Sequence, residues 1–113
     1  MSSVTEKDIE IALTNAKSEM GLGKSLERLL NNKDFKKIVM SEYLEQEAIR
    51  LVHLKADFNM RAPHLQENVT RDIDAIGSFK QFLMRIEQRA EEGQDTVDDC
   101  ELALEEIRAG EAE

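Results

Sequence analysis

Chemistry in this chain could rest on two histidines, one cysteine and a few closely spaced acids. His53 and His64 lie eleven residues apart. A helical metal site wants imidazoles four apart, or joined by carboxylates in a fixed frame. His53 instead falls within an apolar helical pattern, while His64 sits beside Pro63 in a loop. A polar site of His64 with Asp57 is one arrangement to weigh, against the favoured expectation of a solvated loop histidine. Asp72 and Asp74 could be read as an acid/base pair, but residues two apart on a helix point about 200° away from each other. Cys100 lies among Asp98, Asp99 and Glu101, where a nucleophilic thiolate would need a base and a positive field. GxxxxGK[ST], GxGxxG, GxSxG and HExxH are all absent, and DTVDDCELALEE lacks the glycine turn of a calcium loop. The expectation is therefore no catalytic residue, no metal and no cofactor.

The bulk composition agrees with a small helical domain. The chain has 113 residues, one Pro, five Gly, no Trp and an apolar set dominated by aliphatic side chains. That is one domain's length, with a texture that favours helix over strand. A single cysteine excludes an internal disulfide and a paired-thiolate zinc site. The opening residues MSSVTEKDIE carry no basic segment followed by an apolar run, so no secretory leader is expected there. No window approaches the ~20 apolar residues of a membrane span. Charge is uneven. Residues 1–90 hold 14 Lys and Arg against 14 Asp and Glu, whereas residues 91–113 hold ten acids and Arg108 alone. The whole net charge of −9 thus belongs to the last 23 residues. This argues against direct nucleic-acid binding, which needs a basic footprint.

Apolar spacing then places the elements. A first helix is expected to start at Thr5, with Ile9, Leu13, Ala16 and Met20 on one stripe, and to end at Gly21 and Gly23. A short second helix carries Leu22, Leu26, Leu29 and Leu30 and breaks at Asn31-Asn32. Residues 34–56 form a central helix that buries Phe35, Ile38, Val39, Tyr43, Ala48, Leu51 and Val52. A loop in the segment DFNMRAPHLQEN, from Asp57, follows, with Pro63 placed to open the next helix. A long pattern then runs from about Leu65 through Val69, Ile73, Ile76, Leu83, Ile86 and Ala90. Lys80 interrupts its strict heptad. The stripe resumes with Val97, Cys100, Leu104 and Ile107, so an unbroken helix would be about 66 Å long, with protrusion or bending expected near Gly93. Gly77, on the packed side, is expected to mark a close crossing with the 34–56 helix.

Two segments carry a family likeness. DFKKIVMSEYLEQEAIRLVHLKADFNM and APHLQENVTRDIDAIGSFKQFL, from Asp34 and Ala62, resemble a group of small helical proteins of tailed bacteriophages associated with virion structure and morphogenesis. The pattern is a "DFKK" helix start, an "EA.RLV.L.AD.NM" helix end, a "QE" after the loop and a "DI.AIG....L" helix. The likeness covers residues 25–90. It implies a structural or assembly accessory protein and supplies no catalytic residues. Where the group's loop reads like "ADPNM", this chain has Asp57-Phe58-Asn59-Met60, which marks Phe58 as a contact candidate.

The combined expectation is an all-α fold: a hairpin or small bundle of helices with short N-terminal helices and an acidic C-terminal helical extension. Its divisions fall at 1–24 (N-terminal arm), 25–90 (helical core) and 91–113 (acidic extension). The expected function is non-enzymatic, through helix-mediated contacts with phage structural proteins or with further copies of the chain. It involves no membrane, no small-molecule substrate and no nucleic acid, in the host cytoplasm and the virion. The alternative is an acidic inhibitor that binds a basic surface of a host protein. Candidate partner-binding residues are Phe58, Gly77, Val97, Cys100, Leu104 and Ile107.

Overall fold

A computed structural model describes residues 5–112, so the first four residues of the expected arm and Glu113 of the acidic extension lie outside it. The protein is all-α: every regular element among the described residues is helical. Helix α1 spans Glu6–Leu30, a single turn α2 spans Lys33–Phe35, a π-helical segment spans Lys36–Glu47, and α3 spans Ala48–Lys55. A 3-10 turn, Phe58–Met60, precedes the fifty-residue helix α4, Pro63–Ala112. The chain divides into two compact units: Met1–Leu26 with Arg85–Glu113, and Glu27–Met84.

In the first unit α1 begins with a reciprocal cap. Asp8 N donates to Thr5 Oγ1 and Thr5 N donates to Asp8 Oδ2, both at 3.1 Å, so two amides of the first turn are satisfied together. The helix then runs through Gly21 and Gly23 without ending, and the two expected helices are one. No glycine among the described residues has positive φ, so the left-handed stop that Gly23 could supply is not used. Its missing side chain serves packing instead: a Cβ there would collide with the Cβ of Ala90.

Gly93 has the same role from the other side. It is buried, α4 continues through it as helix, and a Cβ on it would lie 2.8 Å from the Ala16 carbonyl oxygen and 3.3 Å from Met20 Cγ. The segment expected to bend at Gly93 is held there against α1. The pair is antiparallel: Gly23 meets Ala90, Ala16 meets Gly93, and Glu6 reaches Arg108 at 3.7 Å. Along α4, residues 86, 90, 93, 97, 100, 104 and 107 alternate at four and three and are all buried or half-buried. On α1, Ile9, Ala16 and Leu26 are buried. Val97 and Leu104 lie between the Ala16 and Glu6 contacts and retain only 6% and 5% of their exposure. The stripe expected to wait for an outside partner is spent inside the unit.

The second unit is built around Leu51, Val69 and Ile76, with Leu44, Ala48, Leu54, Met60 and Ile73 packed on them. The Asn32 side chain caps its first turn, accepting from Phe35 N at 2.9 Å. The π winding that follows has a sequence cause. Continued back from Leu51 and Leu44 at α spacing, the inward stripe would take Met40, then Lys37 and Lys33. With the wider turn, the half-buried apolar positions become Phe35, Val39, Met40, Leu44 and Ala48, and both lysines stay in water. Part of the expected stripe is overturned: Ile38 and Tyr43 in this segment are 63% and 36% exposed, and Val52 on α3 is 60% exposed.

In α4 Lys80 stays exposed, and the buried stripe passes from Ile76 to half-buried Phe79 and on to Leu83 at ordinary three- and four-residue spacing. Phe79 meets Tyr43 edge-on, with ring centroids 6.0 Å apart and planes at 80°. Gly77 is not a crossing. It is exposed, and nothing lies within 4 Å of where its Cβ would be. About 100° round the helix from buried Ile76, it points to the open side.

These contacts separate the glycines by experiment. Gly77→Ala should stabilise the protein by about 0.5–1 kcal/mol, the usual gain for alanine in an unobstructed helix. Gly93→Ala should destabilise it by about 1–3 kcal/mol through overpacking against the Ala16 carbonyl. Denaturant melts of the two variants check both signs. The cap gives a pH dependence. Hydrogen bonds from Thr5 hold the Asp8 carboxyl below its ordinary value of 3.8. A depressed acid stabilises above the ordinary value and loses its effect as pH falls through the folded one. In Asp8→Ala the first-turn amides should exchange faster than in the parent at neutral pH. The difference should close as the solution is acidified below 3.8, which amide hydrogen exchange by NMR would show.

Candidate functional site

The loop between α3 and α4 is the most constructed local feature. Asp57 Oδ1 accepts from Asn59 N at 2.8 Å and so starts the 3-10 turn. Pro63 opens α4, where its missing N–H costs nothing. One turn into α4, Gln66 reaches back. Its Nε2 donates to the Lys55 carbonyl at 2.9 Å and to the Met60 carbonyl at 2.6 Å. Thus one amide group satisfies the end of α3 and the end of the turn, while Met60 packs onto the Leu51 cluster. The clamp leaves Phe58 93% exposed. An aromatic ring presented on a tied loop costs hydrophobic free energy and is a good contact group for another protein.

The other expected partner-binding residues separate. Gly77 faces open space, Val97 and Leu104 are buried, and Cys100 and Ile107 are half-buried on the same inward stripe of the first unit. Of the six, Phe58 is the one that is both apolar and exposed. The sequence reading missed the exposed aliphatic residues of the second unit: Ile49 and Val52, one turn apart on α3, are 51% and 60% exposed, and Ile38 in the π segment is 63%. It also missed Gln66, whose signal was its place one turn after a loop that ends in proline.

Potential chemical groups do not converge. His53 and His64 are exposed, and the Asp57 carboxylate is engaged by its own turn. Asp72 borders an open groove with Tyr43, Glu47, Arg50 and Leu51, whereas Asp74 borders a different one with Lys55, Gln66 and Arg71. Among the described residues no three His, Cys, Asp or Glu side chains are grouped to hold a metal ion, and no helix is long and apolar enough to cross a membrane. In the first unit Arg89 Nη2 lies 2.8 Å from both Glu19 oxygens, and that carboxylate raises the pKa of the guanidinium.

Charge divides by unit. Residues 27–84 hold nine Lys and Arg and nine Asp and Glu, while residues 1–26 with 85–113 hold six against fifteen. Within the second set, residues 1–26 carry −1 and residues 85–113 carry −8. The acids at 91, 92, 95, 98, 99, 101, 105 and 106 are all exposed, on the side of α4 turned away from the buried stripe. Two kinds of surface are thus left in water: exposed apolar groups on a neutral unit, and a solvated acidic face. No protein-family model, no curated protein and no solved structure matches the chain.

Replacing Gln66 tests the loop. Gln66→Ala removes two hydrogen bonds and should lower stability by roughly 1–2 kcal/mol, with faster exchange at the amides of 57–62. A variant with unchanged melting and exchange would show that the loop holds itself.

Proposed function

We propose that this chain is a non-enzymatic virion-structural or assembly accessory protein of a tailed bacteriophage, acting through helix-mediated protein contacts. The exposed apolar set of the second unit, with Phe58 at its tied loop, carries the reading. That unit is charge-neutral and lies within the stretch whose motifs resemble phage morphogenesis proteins. A hairpin of 34–56 with 65–90 would present this surface, and the acidic helical extension would keep the assembly soluble. The partners are phage structural proteins or further copies of the chain, met in the host cytoplasm and carried into the virion.

The acidic face supports a second reading, an inhibitor that docks on a basic surface of a host protein. The observation in its favour is the net charge of −8 on residues 85–113, where the apolar stripe of α4 is already covered. Such docking would weaken steeply with salt.

Quantitative mass spectrometry of particles and particle precursors, purified from cells that produce the chain, tests the first reading. The expected result is a fixed copy number in one or both. Absence from both, with salt-sensitive capture of a basic host protein, would replace it with the second.

A further inference from the structure

Helix α1 carries a second face that neither the packing nor the proposed function has used. Residues 11, 15, 18, 22 and 25 follow one another at four, three, four and three, the spacing of a helix–helix seam, and all are exposed. They are Ile11, Asn15, Ser18, Leu22 and Ser25. None of these side chains carries a formal charge, and Lys7 and Glu10 border the strip at its Ile11 end. Ile11 and Leu22 are 52% and 40% exposed. Beside them Thr14 is exposed, and Gly21 has nothing within 4 Å of a Cβ position, so another helix could come close.

We propose that this strip is the contact between two copies of the chain, paired antiparallel through α1. The order of its side chains selects a second copy over an unrelated helix. From Ile11 to Leu22 the order apolar, polar, polar, apolar reads the same in both directions, as a two-fold contact requires. When Ile11 faces the second copy's Leu22, the same register sets Asn15 opposite the second copy's Ser18. The amide and hydroxyl then have partners, and a polar pair of this kind fixes register. Charge favours the same arrangement. The α1 side of the unit carries −1 and the α4 side −8, so an approach through α1 keeps the strongly acidic segments apart. The paired run spans about 17 Å from Ile11 to Leu22 at 1.5 Å per residue. It deepens the assembly reading, and rests on it, by naming the partner for one face.

Sedimentation equilibrium of the full chain across the micromolar range tests the pairing, with circular dichroism to confirm that each variant is folded. The parent should be a reversible dimer. Ile11→Glu or Leu22→Glu should raise the dimer dissociation constant by about tenfold or more with helicity unchanged. Ile11→Lys combined with Leu22→Glu in one chain would place lysine against glutamate twice in the antiparallel register, and should regain association at low salt. A parent that stays monomeric overturns the proposal. So does a dimer indifferent to Ile11→Glu and Leu22→Glu, or a double variant no better associated than the single ones. None of these outcomes touches the copy number in particles, so the two readings fail separately.

Discussion

The first unit depends on how closely α1 and the end of α4 approach each other. Side chains are missing at two places where backbones need the room: Gly23 against Ala90, and Gly93 against Ala16. Small residues lower the area each contact buries but shorten the distance over which dispersion acts. They also let Ile9, Ile86, Val97 and Leu104 drop out of water on either side. An aliphatic side chain fully buried in this way contributes about 1.5–3 kcal/mol, more than the ~1 kcal/mol that glycine costs its helix. The balance favours continuous helices through both glycines.

That contact also decides what remains for function. Because Val97 and Leu104 are buried against the first unit's own helix, the acidic segment exposes its charge and not its apolar stripe. Apolar contact groups lie instead on α3, the π segment and the loop clamped by Gln66. The second unit thus pairs a satisfied core with an exposed apolar surface and no net charge. The first pairs a satisfied core with a strongly acidic outer face. Proteins that bind other proteins need some surface that folding leaves unsatisfied, and here folding leaves two of different character.

The all-α class, the loop at Asp57, the opening of α4 near Pro63 and the cap at Thr5 were legible in the sequence, since each rests on local chemistry. The glycines were not. Glycine ends a helix, weakens one or admits a neighbour, and only the facing residue tells which. Gly23 and Gly93 admit neighbours, whereas Gly77, the one expected to do so, meets none. The π winding left a trace that was legible but misread: the apolar pattern steps by five from Tyr43 to Ala48. Of the site, Phe58 could be found because a loop aromatic has nowhere to bury. Val97, Cys100, Leu104 and Ile107 looked available because periodicity shows an apolar face without showing what covers it.

The close approach is tested most directly by a double-mutant cycle on Gly23 and Ala90, read from denaturant unfolding. Gly23→Ala alone adds a methyl group against the Ala90 Cβ, and Ala90→Gly alone removes that Cβ. Together they exchange the two residues across the contact. If the helices meet there, the double variant recovers most of the stability lost in Gly23→Ala, and the two effects are coupled by about 1 kcal/mol or more. Simple additivity of the two changes would contradict the contact and, with it, the assignment of the acidic segment's apolar stripe to the protein's own core.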